Sequence, residues 1–181
     1  MKKTTPILSV LICTLPERKT TFERIKKALE HPEVEILDDP AEHQTVGEKR
    51  NNLKDRAAGD YICYVDDDDM ISREVYLRII EALKRAPDCV GIEGVIYQRG
   101  IERKWVVSLE YDRWFEKNGV YYRTPNHLAP VKRSIADKVK FPYVNHGEDA
   151  AYSKAIYPFL NREIFVSGCY YFYQPSGGKR K

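Results

Sequence analysis

The sequence has no long apolar run, no paired cysteines and no excess of charge of one sign, and each absence removes a class of protein. The longest apolar stretch, residues 7–13, is broken only by Ser9 and falls far short of the ~20 residues a membrane-spanning helix needs. Lys2 and Lys3 stand ahead of it as in a secretory leader, but Leu15-Pro16-Glu17-Arg18 follows where small residues are required. The four cysteines, Cys13, Cys63, Cys89 and Cys169, have no CxxC spacing and lie among apolar or aromatic neighbours. That pattern predicts buried free thiols and excludes a disulfide frame or a thiolate zinc site. Together these features predict a cytoplasmic protein without a transmembrane segment. Thirty basic residues against 27 acidic ones leave +3, and Lys179-Arg180-Lys181 account for all of it. A neutral body excludes nucleic-acid binding driven by bulk charge. Ten Gly and ten Pro are ordinary usage, which excludes collagen-like and low-complexity chains.

What the sequence does have is 43% hydrophobic residues, with 13 Tyr, 6 Phe and 2 Trp in 181 positions. This suits one packed domain over residues 1–175, followed by a flexible basic tail at 176–181. The first half alternates strand and helix patterns. Residues 7–13 make an apolar strand, and Pro16 suits the first position of a helix with Phe22, Ile25 and Leu29 on its inner face. Residues 34–37 form a second strand that runs into Asp38-Asp39-Pro40. Thr45 with Glu48 is a capping box that opens a helix to about Ala58. Gly59-Asp60 turns the chain into a third strand, 61–65, which ends abruptly in four carboxylates, Asp66 to Asp69. Ser72 caps the next helix, with Tyr76, Ile79, Ile80 and Leu83 along one face. This alternation predicts an α/β fold with a doubly wound, mostly parallel sheet flanked by helices. After Pro87 the pattern is mixed: a hairpin of 89–97 and 101–109 around Gly100, a strand at 120–123, helices at 134–140 and 148–160, and closing strands at 164–166 and 170–173.

In an open sheet of this kind, ligands bind beyond the carboxyl ends of the strands. Three predicted strands end in polar sequence, at Thr14 to Arg18, Asp38-Asp39 and Asp66 to Asp69, so all three fall on one edge. Four adjacent carboxylates repel one another, which raises their pKa values and costs stability. A hard divalent cation, Mg²⁺ or Mn²⁺, relieves that repulsion. The plain alternative is an acidic turn leading into the Ser72 cap; the position after an apolar strand favours a metal and phosphate site. A second acidic pair, Glu148-Asp149, stands about eighty residues later at a helix start, where the helix dipole also favours acidic side chains.

Pro6-Ile-Leu-Ser-Val-Leu-Ile-Cys-Thr14, Glu35-Ile-Leu-Asp-Asp39, Arg50-Asn51 and Ala58-Gly-Asp-Tyr-Ile-Cys-Tyr-Val-Asp-Asp-Asp-Asp69 form an ordered series. It resembles that of family 2-like nucleotide-sugar glycosyltransferases of the GT-A fold. Asn126-His-Leu-Ala-Pro-Val-Lys-Arg133, Phe141-Pro142 and Gly147-Glu148-Asp149 are similar to the acceptor half of the same pattern. The resemblance spans roughly residues 6–160. It implies a Rossmann-like GT-A domain with a nucleotide-sugar and metal half at 1–86 and an acceptor half at 87–175. The implied activity is an inverting, metal-dependent transfer from a nucleoside-diphosphate sugar, usually a UDP-sugar, to a hydroxyl of a glycan or other acceptor. By the same resemblance Thr14 and Arg18 form the first nucleotide-binding turn. Asp39, with Asp38 beside it, accepts from the base, and Arg50 lies next to base and phosphates. Asp66 and Asp67 stand near the ribose, Asp68 with Asp66 holds Mn²⁺ or Mg²⁺, and Asp69 braces the turn. Asp149 is the implied catalytic base, with Glu148 and His127 on the acceptor side. Where some members carry a metal-binding histidine, this sequence has Tyr173-Gln174-Pro175.

The chemistry agrees with two separate clusters. A nucleoside diphosphate leaves only when its developing charge is neutralised, and an attacking hydroxyl needs a base on the other face of the anomeric carbon. One carboxylate cluster cannot do both. Two other functions use the same carboxylates: a metal-dependent nuclease or phosphotransferase, and a non-catalytic nucleotide- or cation-binding module. Trp105, Trp114, Tyr121 and Tyr122 are of the type that stacks on sugars and equally of the type that fills cores.

Overall fold

The computed structural model describes residues 5–98 and 100–173; the basic tail expected at 176–181 lies outside them, as does Gln174-Pro175. The elements run β1 (Leu8–Cys13), α1 (Lys19–Leu29), β2 (Val34–Asp39), α2 (Val46–Arg56), β3 (Tyr61–Tyr64), β4 (Met70–Ile71) and α3 (Arg73–Leu83). They continue with β5 (Cys89–Gln98), β6 (Ile101–Val107), β7 (Phe115–Lys117), β8 (Val120–Arg123), β9 (Val131–Lys132), α4 (Arg133–Ala136), α5 (Glu148–Ile156) and β10 (Glu163–Tyr173). Pro16 opens a short 3₁₀ turn, Pro16–Arg18, that feeds α1. The Thr45–Glu48 capping box and the Ser72 cap are both formed.

These strands make one sheet in the order β2-β1-β3-β9-β5-β6-β8-β7, with β10 beside β5 and β4 beside β10. β1 is parallel to β2 and β3, β10 to β5 and β8 to β6, while β9 and the β5–β6 hairpin supply antiparallel joints. The result is the mixed, mostly parallel sheet that the alternation predicts.

Side-chain alternation splits β1 between two helical layers. Leu8, Val10 and Ile12 pack with Ile25 and Leu29 of α1 and Tyr76 and Ile79 of α3. Leu11 packs on the other face with Leu53 of α2, Ile135 of α4, and Tyr152 and Ile156 of α5. Cover on both faces is why the strand reads as a nearly unbroken apolar run. Each buried Leu or Ile contributes about 1.5–3 kcal/mol, so these layers fix where the strand ends lie.

Several details differ from the expectation. α4 ends at Ala136 instead of continuing to 140, because the buried Lys54 ammonium donates to the carbonyl of Ala136 at 3.1 Å and to that of Val139. α5 stops at Ile156 and tightens into the 3₁₀ turn Tyr157–Phe159, since Pro158 has no amide for a further α-helical bond. The two closing strands are one, β10, interrupted by register shifts around Gly168, whose φ of +102° suits glycine. All four cysteines are free; Cys63 and Cys89 are buried and Cys13 and Cys169 half-buried.

Candidate active site

β1, β2 and β3 end side by side. Cys13 lies opposite Asp39 in the ladder, and the Thr14 amide donates to the Asp39 carbonyl at 3.1 Å. Neighbouring strand residues face opposite sides of a sheet, so Asp38 and Asp39 diverge. Asp39 is buried and its Oδ1 accepts the Ala41 amide at 3.0 Å. The Asp38 carbonyl accepts Arg56 Nη1 at 3.2 Å. Lys49, also buried, donates its Nζ to the Thr14 carbonyl at 2.9 Å and so pins the turn after β1 to α2.

The four carboxylates after β3 have different surroundings. Asp69 is fully buried and its Oδ2 accepts the Tyr171 hydroxyl at 2.7 Å, while that hydroxyl oxygen accepts the Asp66 amide at 3.0 Å. This ties the turn to β10, the bracing role expected of Asp69. Asp67 is buried and accepts Arg18 Nη1 at 2.8 Å and the Leu15 amide at 3.3 Å, linking the turns that follow β1 and β3. Asp68 Oδ2 lies 2.9 Å from the same Arg18 nitrogen. Asp66 keeps 36% of its side chain exposed and stands 3.7 Å from Arg50 Nη2. Burial raises Asp66 above the usual carboxylate range; Arg50 opposes the shift, and Asp68, Asp67 and Asp149 add to it. Burial likewise raises Asp67, against the pull of Arg18.

Arg50 connects the two acidic clusters. It is buried in α2, its guanidinium 5.7 Å from the Tyr64 ring and 5.4 Å from that of Phe141, and its Nη1 donates to Glu148 Oε1 at 2.8 Å. Glu148, expected on the acceptor side, is thereby held inside the protein; burial raises its pKa and Arg50 opposes the rise. Asp149 next to it is half-buried, with Oδ1 accepting the Ala150 amide at 2.8 Å. The loop at 142–147 delivers the pair. It caps α2 through Gly47 N–H to the Val144 carbonyl at 3.2 Å and Val46 N–H to Asn145 Oδ1 at 3.0 Å. It then enters α5 at Gly147, whose φ is +79°.

His127 is buried, and its carbonyl accepts the Tyr64 amide at 2.8 Å. Burial, reinforced by the charges of Arg50 and Arg123, holds its imidazole well below the usual value, so the ring is neutral. Among the described residues, His127 Nδ1, Asn126 Nδ2 and Arg50 Nε are buried without a hydrogen-bond partner. Of the residues the sequence singled out, Arg18, Arg50, Asp66, Asp67, Asp68, Glu148 and Asp149 therefore share one charged network, with His127 at its margin. Asp39 and Thr14 line the adjoining strand ends. Sequence reasoning missed Lys49, Tyr171 and Arg123. A signal existed for Lys49: α2 has no apolar stripe yet packs into the core, so its polar side chains had to be buried with partners. Two recesses lie away from this edge, one lined by Ile7, Asp60, Tyr61 and Arg133, the other by Lys26, His31 and Ile36.

The sequence model of Glycosyl transferase family 2 matches residues 21–140, more than half of the sequence. The chain belongs to glycosyl transferase family 2. The matched part of this family 2 chain contains Asp39, Arg50, Asp66, Asp67, Asp68 and His127; Arg18 and Glu148-Asp149 lie outside it and reach the same edge through the fold. Among solved structures it is similar to S. aureus TarS 1–349 in complex with UDP-GlcNAc, with a TM-score of 0.71 and 16% identity over 95% of this chain and 59% of that one. It is similar also to TarS 1–349 alone, with a TM-score of 0.69 and 15% identity over 92% and 60% of the two chains. For the complex of TarS 1–349 with UDP the values are 0.65 and 16% over 93% and 60%. These likenesses show the GT-A fold. The family 2 chain spans about six-tenths of the length of those TarS structures. Among curated proteins it has no match.

Proposed function

We propose that this family 2 chain is an inverting, metal-dependent glycosyltransferase that moves a sugar from a UDP-sugar to an acceptor hydroxyl. The observation that carries the reading is the gathering of Asp66 and Asp149 at one end of the parallel strands, with buried Arg50 bound to both acidic clusters. The TarS structures of the same fold bind UDP-GlcNAc and UDP, which supports a UDP-sugar donor here. In this reading Thr14, Asp38 and Asp39 receive the nucleoside, and Arg18, Arg50, Asp66 and Asp67 surround the ribose and diphosphate.

Mn²⁺ or Mg²⁺ fits the donor set. Among the described residues no three His, Cys, Asp or Glu side chains converge on one point. Asp66 and Asp68 would therefore hold the ion, with diphosphate oxygens and water completing its shell, a common arrangement for Mg²⁺. Both are hard oxygen donors in a turn whose negative charge Arg18 and Arg50 only partly balance. When bound, the ion supplies Lewis-acid neutralisation of the departing diphosphate.

Asp149 takes the proton of the acceptor hydroxyl while that oxygen forms its bond to the anomeric carbon and the bond to the nucleotide breaks. Attack opposite the leaving group inverts the anomeric configuration. Glu148, fixed on Arg50, positions its neighbour, and neutral His127 stays uncharged beside the acceptor path. Calorimetry with UDP and UDP-GlcNAc, each with and without Mn²⁺, tests the donor. Metal-dependent binding that weakens in Asp39→Ala and Arg50→Ala is expected; equal affinity in both variants would overturn the assignment.

A further inference from the structure

Arg123 closes β8 with a guanidinium that makes no ion pair and no side-chain hydrogen bond among the described residues. It is half-buried and lies over the Trp114 indole, 4.6 Å from the ring centroid. Arginines are seldom drawn into a protein without a carboxylate, and this one keeps its full fork of donors unused.

Its position is firmly built. Trp114 Nε1 donates to Thr124 Oγ1 at 3.0 Å and to Ser153 Oγ at 3.3 Å. The Ser153 hydroxyl interacts with the carbonyls of Thr124 at 3.3 Å and Pro125 at 2.8 Å. Ser153 is four residues beyond Asp149 on α5, so both lie on one face of that helix. The end of β8 is thus locked to the helix that carries the proposed base. Asp149 is close enough to act electrostatically on both Asp66 and Arg123. A few residues further along the chain, Asn126 and His127 bring Nδ2 and Nδ1 atoms that have no partner among the described residues.

We infer that Arg123 binds an anionic group, a phosphate or carboxylate, on the acceptor molecule, next to the hydroxyl presented to Asp149. The inference rests on the reading of Asp149 as the base. A planar fork supported by an aromatic face suits bidentate recognition of such oxygens. In the proposed reading the donor's phosphates meet Arg18 and Arg50, which hold the acidic turn, and Arg123 is left for the acceptor.

The test uses the full chain, ¹⁵N-labelled, titrated with inorganic phosphate and separately with acetate at constant ionic strength against chloride. The expected result is a saturable shift of the Arg123 Nε–Hε resonance that persists with UDP and Mg²⁺ present. Arg123→Gln should weaken anion binding at least tenfold while UDP affinity and the unfolding midpoint hold. Arg123→Lys, which keeps the charge but not the fork, should fall between. The inference is overturned if the anions shift Arg123 no more than chloride does, or if UDP displaces them. It is overturned equally if Arg123→Lys, or a folded Arg123→Gln, binds them as the parent does. A failure of UDP itself to bind would instead overturn the donor reading and leave the anion titration to be judged separately.

Discussion

Arg50 Nη1 lies 2.8 Å from Glu148 Oε1, joining the middle of α2 to the first residue of α5 across 98 positions of sequence. Both side chains are nearly inaccessible, 4% and 9% exposed, so each charge depends on the other. The same guanidinium faces Asp66 at 3.7 Å, and one buried cation thereby holds both acidic clusters in register.

Removing one partner leaves an uncompensated buried charge, which costs about 3–5 kcal/mol. Glu148→Ala should lower stability in urea denaturation toward the lower end of that range, since Asp66 still faces Arg50 at 3.7 Å. Replacing both, Arg50→Met with Glu148→Met, should recover most of the loss. A double variant less stable than either single one would show that the pair is not the cause.

Asp149→Asn retains size and hydrogen bonding but cannot accept a proton. Transfer should fall by the ~10²–10⁴-fold expected for a general base, with UDP affinity unchanged. NMR of the product should show inverted anomeric configuration. A parental rate, or a retained configuration, would remove Asp149 from this role.

Asp66 has a raised pKa in the folded state. A carboxyl of that kind favours folding below its unfolded pKa, and this contribution is lost as pH rises through the folded value. At neutral pH the metal-free protein therefore carries a penalty, which the side chain's 36% exposure screens in part. Asp66→Asn should raise its unfolding midpoint at pH 7, and Mn²⁺ should stabilise the parent but not the variant. An equal Mn²⁺ response in both proteins would exclude Asp66 as a ligand.

His127 acts in the opposite direction. Its folded pKa is depressed, so its contribution is complete above the ordinary value near 6.5 and is lost as pH falls below it. Each further unit of pH should cost up to about 1.4 kcal/mol. The stability difference between parent and His127→Asn, followed from pH 7.5 to 5.5, should shrink accordingly; a constant difference would refute it.

Gly47 lies where the loop at 142–147 crosses α2, and a Cβ there would sit 1.8 Å from the Pro142 carbonyl oxygen. Gly47→Ala should cost about 1–3 kcal/mol, as overpacking does. It should also reduce transfer more than UDP binding, because the displaced loop leads into the start of α5 with Asp149 and not into the nucleotide turn. Crystallography of the variant, or its ratio of transfer rate to UDP affinity, decides the point.

Much of the fold was legible because its signals are local. The apolar run of β1, the Thr45–Glu48 box and the Ser72 cap depend on neighbours within a turn or a strand. The short strands β7 and β9 were not legible, since two or three residues carry no periodicity and form only where a ladder already waits for them. α4 ended early for a similarly remote reason, the ammonium of Lys54.

By itself the sequence determined that three polar strand ends share one edge, that four carboxylates crowd one of them, and that a second acidic pair opens a later helix. These follow from pleat and helix periods and from chain order. Only the tertiary structure decided what each charge faces: Asp67 turned inward to Arg18, Asp69 to Tyr171, Glu148 to Arg50, and Arg123 laid over the Trp114 ring. Such pairings join residues up to about a hundred positions apart. They are set by where two apolar layers bring the helices to rest, and no local pattern encodes that distance.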